Sequence, residues 1–483
     1  MTGLIKRESL ADFGIRNITT YATEVNLDRA VPELYDGLKP VLRRVLWSAY
    51  HYKSGEAVKS AKIVGHCIGS YSPHGDSSTY GAMQTLVHHN VPLLEGIGNW
   101  GGLLDPAAAY RYTNSRLSKV GWEVFNPNYI SVMDMVPNYD DTDKEPVVLP
   151  VRLPFLVLNG AEGIGVGITC SIPTFTLEST LAVLERIFKG EKLTGLDFAK
   201  TLKAKQHWGG HLVNTKENRQ QWVQLMNTGR ARVQFQSTLE VDEAKKTITI
   251  NEWPGVNPEK LVQKVRLMPE CQRAYNSKGS TTFTIECKKA YNAVQFKDFV
   301  AKVQKLATST ASYRFNCTHR TAKTVDGVTT YHTEFLALSV KEFFYRWAKL
   351  RLLLEKKSLE YQIGKQQQLI DYSNLLIYAS TKLDVIFKAL RQSDSRAYLV
   401  NHLKISEQQA DAILDLKVRK LSKLDQQELK QVLKQQQQYM GQLKQYYKRP
   451  KAKIINEFAQ LKQLVDSDLQ QKAKRLQQKL VVK

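Results

Sequence analysis

The sequence predicts a multidomain α+β protein: a helix-turn-helix region near the N-terminus, a mixed α/β middle and a C-terminal part built on two long antiparallel helices. Three observations lead there. At 483 residues the chain exceeds what one hydrophobic core serves, so about three domains are expected. Apolar residues recur at helical spacing at Ala61, Val64 and Ile68, are interrupted by Ser72-Pro-His-Gly75, and resume at Tyr80, Met83 and Val87. Farther on, Ser339-x-x-Glu342 has the form of a capping box, and Phe343, Trp347, Leu350 and Leu354 follow it in the rhythm of a long amphipathic helix.

Taken in order, residues 1 to 35 form an amphipathic lead-in with Arg29 near its end, closed by Val31-Pro32. Pro40 suits a first helical turn because it lacks an N–H that this turn cannot use. The helix it starts carries Leu42, Leu46 and Ala49 on one face, with Lys39, Arg43 and Arg44 around its beginning. Those cations read as phosphate contacts, the alternative being a solvated face. Asp76 is expected to cap the second helix of the helix-turn-helix, leaving amide N–H groups free for an anion. The glycine run Glu95-Gly-Ile-Gly-Asn-Trp-Gly-Gly102 lacks the lysine and hydroxyl residue of a nucleotide-binding loop and reads as a tight turn. Asp140, Asp141, Asp143 and Glu145 read as a polar loop before Val147-Val-Leu-Pro-Val151 rather than as a metal site.

From 175 to 338, alternating runs such as Ala231-Arg-Val-Gln-Phe-Gln236 and Thr247-Ile-Thr-Ile-Asn251 are separated by helical stretches. After the long helix and a helical block, Ala410-Asp-Ala-Ile-Leu-Asp-Leu416 closes the far end. Leu429, Val432, Leu433, Met440 and Leu443 then return along a second long helix. A break at Pro450 precedes a last helix on Ile454, Phe458, Leu461 and Val465, and a basic tail follows from 469. The expected boundaries are therefore 1–35, 36–174, 175–338, 339–468 and 469–483.

A formal charge of +23 points to a polyanionic partner, nucleic acid or an anionic membrane. No apolar run reaches membrane-spanning length, and Met-Thr-Gly-Leu-Ile-Lys-Arg-Glu is not the start of a signal peptide, so double-stranded DNA is the simpler partner and no membrane is expected. The five cysteines are scattered without a Cys-x-x-Cys pair, which argues against a zinc ribbon and a disulfide framework and fits a reducing cytoplasm.

The chemistry centres on Asp105-Pro-Ala-Ala-Ala-Tyr-Arg-Tyr112. A tyrosine becomes a nucleophile when something stabilises its phenolate, and the guanidinium of Arg111 stands beside Tyr112. Arg-Tyr alone is common; its setting is not. Asp36-Gly-Leu-Lys-Pro-Val-Leu-Arg-Arg-Val-Leu46, Lys59-Ser-Ala-Lys-Ile-Val-Gly65 and Ser72-Pro-His-Gly-Asp-Ser77 precede it in order. Leu158-Asn-Gly-Ala-Glu-Gly-Ile-Gly-Val-Gly167 and Ser406-Glu-Gln-Gln-Ala-Asp-Ala-Ile-Leu-Asp-Leu416 follow.

Together these segments resemble the DNA-cleaving subunit of type IIA topoisomerases, the gyrase A and topoisomerase IV C family. The resemblance implies a winged-helix DNA-gate domain, an α/β tower domain and a long antiparallel coiled coil with a helical dimerisation gate. It makes Tyr112 the nucleophile, Arg111 its charge-stabilising neighbour and His74 a hydrogen-bond donor to the scissile phosphate, although Leu42 and Ser72 stand where gyrase A proteins carry two further histidines. It assigns DNA contacts to Arg29, Lys39, Arg43, Arg44, Lys59, Lys62 and Ser77, and makes Ile164 a wedge between base steps. No metal is expected on this chain. Mg2+ and ATP would be held by a separate ATPase/Toprim subunit, giving a heterotetramer around a homodimer of this chain in a bacterial or phage-infected cytoplasm. The chain ends soon after the coiled coil, as do the medium subunits of phage type II topoisomerases. The rival expectation is a non-catalytic DNA-bridging coiled-coil scaffold, and a tyrosine recombinase is a second, enzymatic rival.

Overall fold

Helix α1, Leu10–Glu24, starts where the Ser9 side chain accepts the Asp12 amide, and it runs into a wider π-helical segment, Val25–Ala30. The computed structural model describes residues 9–52, 55–276, 281–326, 328–415 and 426–481. The chain divides into two units, residues 1–351 with 455–483 and residues 352–454. Among the described residues no helix is long and apolar enough to cross a membrane.

In the first unit, α2 (Pro40–Tyr50), α3 (Ser60–Ser70) and α4 (Asp76–His88) pack together. Beside them, β1 (Val58–Lys59), β2 (Leu94–Ile97) and β3 (Asn114–Leu117) form an antiparallel sheet of order β1-β3-β2. Pro40 opens α2 as the sequence indicates, and Leu42, Val45, Leu46 and Ala49 are buried. The buried face of α3 is Ile63, Val64 and Cys67, so the expected stripe is turned: Ala61 and Ile68 are only half-buried.

The start of α2 is held by Asp36, which is fully buried. Its carboxylate accepts the Leu38 and Leu149 amides, each at 3.0 Å, and both ends of the Arg43 guanidinium fork at 2.7 and 3.1 Å. Arg43 is thus a correction to the expected phosphate contacts. It is buried against its own carboxylate, because leaving Asp36 uncompensated inside the protein would cost several kcal/mol.

Residues 162–337 hold two larger sheets and a hairpin. The first sheet orders its strands Glu162–Ile164, Thr169–Ser171, Thr308–Arg314, Arg230–Gln236 and His211–Leu212. Its first two strands precede residue 175, so the boundary expected there cuts a hydrogen-bonded sheet, with Ser171 facing Arg314 in register. The second sheet orders Leu239–Asp242, Thr247–Ile250, Phe283–Cys287 and Cys271–Asn276. It shares a core of Ile248, Ile250, Trp253, Phe283 and Ile285 with Leu261 and Val265 from helix Pro258–Arg266 and Phe296 and Phe299 from helix Ala293–Leu306. Asn316–Val325 and Val328–Ala337 form the hairpin.

The capping box at 339 is real. The Ser339 hydroxyl accepts the Glu342 amide at 3.1 Å and Glu342 accepts the Ser339 amide at 2.9 Å, opening the 41-residue helix Val340–Ser380. Phe343 and Trp347 are fully buried. In the second unit this helix runs antiparallel to Gln426–Lys448: its residues Glu360, Gln366 and Ser373 bond to Tyr447, Gln436 and Gln436 in turn, and Glu355 pairs with Lys453 just beyond that helix. Met440 and Leu443 are buried as expected, whereas Val432 lies off the apolar face. Three short helices, Leu383–Ala389, Ser395–Leu403 and Glu407–Leu414, close over Leu375, Ile386, Leu399, Leu403 and Ile413. Leu416 lies outside the described residues.

The last helix, Pro450–Val481, buries Phe458, Leu461 and Val465 in the first unit. The tail expected from 469 is a continuation of this helix. Lys472 docks on the C-terminal end of α4, its ammonium donating to the Val87 carbonyl at 3.0 Å, and burial lowers its pKa. Nearby, Glu457 joins two arginines. Arg351, with no exposed side-chain surface, reaches it at 2.5 Å, and Arg152 bridges it to Glu123, while both guanidinium groups lie over the Tyr129 ring at 5.2 and 5.4 Å. Glu457→Ala removes the carboxylate that the buried Arg351 and Arg152 share, and the expected loss of stability in chemical denaturation is about 3 kcal/mol. A loss within experimental error of zero would mean that the network contributes nothing net.

Candidate active site

The loop that carries the tyrosine is anchored from below. Thr113 is fully buried; its hydroxyl donates to Ser60 Oγ at 2.8 Å, and its carbonyl accepts the Ser60 amide at 3.0 Å. Tyr80, from α4, reaches up with its hydroxyl to the Ala108 carbonyl at 2.8 Å and to Thr113 Oγ1 at 3.1 Å. A turn from the Tyr112 amide to the Ala109 carbonyl, 2.9 Å, closes the loop. One residue past that turn, Thr113 must point inward, and Tyr112 is left 68% exposed.

In the glycine run expected to form a tight turn, Gly98 and Gly101 take positive φ, 105° and 81°, and Gly96 also makes room for this arrangement. A Cβ on Gly96 would lie 2.5 Å from the Trp100 indole, which packs against Tyr80 at a ring distance of 5.4 Å.

The Arg111 guanidinium carbon lies 5.1 Å from the Tyr112 ring centroid. Hydrogen bonding to Arg111, followed by its charge, lowers the Tyr112 pKa, and the same pair raises that of Arg111. This is the direction a nucleophilic phenol needs. Lys59 pairs with Asn114 in the β1–β3 register, two residues from the tyrosine, and is exposed, as is Lys62 in the first turn of α3.

His74 and Ser77 are exposed at the start of α4. Asp76 is not the cap of that helix: Gly75 takes the capping position without a side-chain bond, and Asp76 is the first helical residue. Its Oδ1 accepts the Ser77 amide and its Oδ2 accepts the Tyr110 hydroxyl, both at 2.8 Å.

A second cluster gathers around Ile164, which is 86% exposed at the end of its strand. Here a glycine is required by close approach: a Cβ on Gly163 would lie 2.0 Å from the Ala30 carbonyl oxygen. That contact brings the π-helical segment with Arg29 beside Ile164, and Asn26 clamps the following turn by exchanging two hydrogen bonds with the Val166 backbone. Lys39 Nζ donates to the Glu162 carbonyl at 2.6 Å; burial lowers its pKa, Arg29 adds to that, and Cys170 and Glu162 oppose it. Arg44, by contrast, is committed to Glu145 through two hydrogen bonds at 2.7 and 2.8 Å, so its fork is not open to phosphate.

Sheet register exposes further cations. Glu162, Ser171, Arg314 and Arg230 lie in one row across the five-stranded sheet, so Ile164, Arg314, Arg230 and Arg232 share its exposed face. In the sequence the alternating run Ala231-Arg-Val-Gln-Phe-Gln236 includes Arg232, whereas Arg314 carries no signal.

The acidic loop is occupied by the fold. Asp143 accepts the Tyr71 hydroxyl at 2.6 Å, Asp140 accepts that of Thr142, and Glu145 holds Arg44. Among the described residues no group of three or more His, Cys, Asp or Glu side chains could hold a metal ion. A magnesium site does not fit these residues.

A family profile for the A subunits of DNA gyrase and topoisomerase IV matches residues 29–460. The chain belongs to that family. It is 29% identical over 461 residues to the DNA gyrase A protein of Staphylococcus epidermidis, covering 89% of this chain and 50% of the relative. It is 31% identical over 440 residues to the DNA gyrase A protein of a Nocardioides species, covering 85% and 46%. It is 27% identical over 492 residues to the A-type chain of DNA topoisomerase 4 from Pseudomonas aeruginosa, covering 96% and 61%. The chain thus spans about half the length of the gyrase A relatives it matches.

The Arg111 contact makes a direct prediction for this gyrase A family member. In an ultraviolet titration Tyr112 ionises below the ordinary phenol range, and Arg111→Ala moves that component upward. If the lowest-titrating phenol is indifferent to both Arg111→Ala and Tyr112→Phe, the activation of Tyr112 by its neighbour is refuted.

Proposed function

We propose that this chain is the DNA-cleaving and rejoining subunit of a type II topoisomerase, acting as a homodimer in which each Tyr112 opens one strand. The observation that carries this reading is an exposed tyrosine on a buried anchor, with a guanidinium against its ring. Tyr112 Oη attacks a backbone phosphorus, the bond to the 3′ oxygen breaks, the phenolic proton leaves and the 3′ oxygen gains one. One phosphodiester replaces another, so resealing is the same step reversed and consumes no ATP. Arg111 stabilises the added negative charge of the transition state, an effect worth a few kcal/mol in such sites. His74, Lys59, Lys62 and Ser77 would receive the phosphates near the break, and Arg29 and Lys39 those beside the Ile164 wedge. On this reading Arg230, Arg232 and Arg314 extend the DNA track along the sheet.

Asp140, Asp143 and Glu145, the carboxylates of the acidic loop, are engaged within the fold, which supports assigning Mg2+ and ATP to a partner subunit of the ATPase/Toprim type in a heterotetramer. The domain assignments that go with this reading are a winged-helix gate, a tower and a coiled coil ending in a dimerisation gate, in a bacterial cytoplasm. A DNA-bridging scaffold would use the same charge and long helices but has no use for a tyrosine placed in this way.

Tyr112→Phe removes one exposed oxygen, so fold and DNA binding persist while denaturant-resistant protein–DNA adducts disappear. Adducts that survive the substitution would show that another residue is the nucleophile. The chain purified alone binds duplex DNA without cutting or relaxing it, and its affinity falls steeply as salt rises because its cations release counterions from the backbone. Robust magnesium-dependent cleavage by the lone chain would overturn the assignment of the metal to a partner.

A further inference from the structure

We infer that Asp76 and Tyr110 form a clasp that holds the Tyr112 loop against the first turn of α4, and that both are positioning residues for strand cleavage. The inference rests on Tyr112 being the nucleophile.

The geometry is specific. Tyr110 Oη donates to Asp76 Oδ2 at 2.8 Å, and the other oxygen of the same carboxylate accepts the Ser77 amide at 2.8 Å. One carboxylate therefore joins the loop to the helix and orients itself on the helix at the same time. The Tyr110 ring stands edge-on to Tyr80, 5.8 Å between centroids and 68° between planes. Tyr80 in turn bonds to Ala108 and Thr113. Residues 108, 110 and 113 are all tied down, and Tyr112 sits between the last two ties. The phenol lowers the Asp76 pKa and is itself raised by the carboxylate, as expected of a charge-assisted hydrogen bond.

The placement matters for the reaction because His74 and Ser77 flank Asp76 on the same turn. Whatever phosphate these residues hold, the clasp fixes its distance to the tyrosine, and displacement by about 1 Å costs on the order of 100-fold in such steps. Tyr110 also supplies a second donor to the Asp76 carboxylate, beside the Ser77 amide.

The test uses the full chain with Tyr110→Phe, Asp76→Ala, Asp76→Asn and the double variant Tyr110→Phe/Asp76→Ala. Hydrogen–deuterium exchange of peptide 105–113 is measured in the chain alone. The rate of adduct formation at saturating DNA, and DNA affinity, are measured with the ATPase/Toprim partner present. Tyr110→Phe and Asp76→Ala should each speed exchange of the loop and slow adduct formation by roughly three- to tenfold, the scale of one such bond at an exposed site, with affinity unchanged. The double variant should lose no more than either single one, and Asp76→Asn, whose amide oxygen still accepts, should keep most of the rate. Independent multiplicative losses, losses carried wholly by DNA affinity, or loop exchange unaltered by Tyr110→Phe would each overturn the clasp. If the wild type makes no Tyr112-dependent adduct, the nucleophile assignment fails instead, and the exchange experiment still decides whether the clasp exists.

Discussion

An exposed tyrosine cannot be held by its own packing, so the constraint on which the placement of Tyr112 depends is the burial of its neighbour, Thr113. That residue exchanges hydrogen bonds with Ser60 at the start of α3 and with Tyr80 on α4, so the two helices and the loop share one fixed point. Because strand β3 begins immediately after it, the position of Tyr112 is set by a sheet and two helices rather than by a free loop. The cost of leaving a buried threonine hydroxyl unpaired, about 1–3 kcal/mol, opposes any displacement that would break this point.

The cations divide by the same logic of burial. Arg43 and Arg44 are adjacent in sequence, yet each is consumed by a carboxylate, Asp36 and Glu145, that fastens α2 to residues 145–149. Arg29, Lys59 and Lys62 remain exposed, and the sheet adds Arg230, Arg232 and Arg314 on the face that bears Ile164. A basic chain can spend arginines inside its structure and still present exposed cations, because pairing is decided by where a carboxylate lies rather than by net charge.

Away from the site, the helix Pro450–Val481 returns to the first unit and is secured there by the Arg351–Glu457–Arg152–Glu123 network and by Lys472 on the end of α4. Arg351, Arg152 and Glu457 are largely buried, so removing one of these charges leaves its partners to bear the cost of desolvation. The same helix thereby contacts α4, whose first turn carries Asp76 and Ser77 and which follows His74.

Much of this was legible in the residues themselves. Periodicity and capping signals located α2, α3, α4 and the long helix from Val340, because helix starts and apolar faces are local properties of the chain. The ordered motifs around Arg111-Tyr112 likewise pointed to the family. What periodicity could not supply was pairing across distance. The partner of Arg43, the duty of the acidic loop, the sheet that joins residue 164 to residues 230 and 314, and the bond from Tyr110 to Asp76 all link positions remote in sequence. Such contacts depend on which surfaces meet when the elements pack. A hydrogen bond between residues 34 positions apart leaves no pattern in the intervening chain, so the tertiary structure alone decided which charges face solvent and what holds the tyrosine in place.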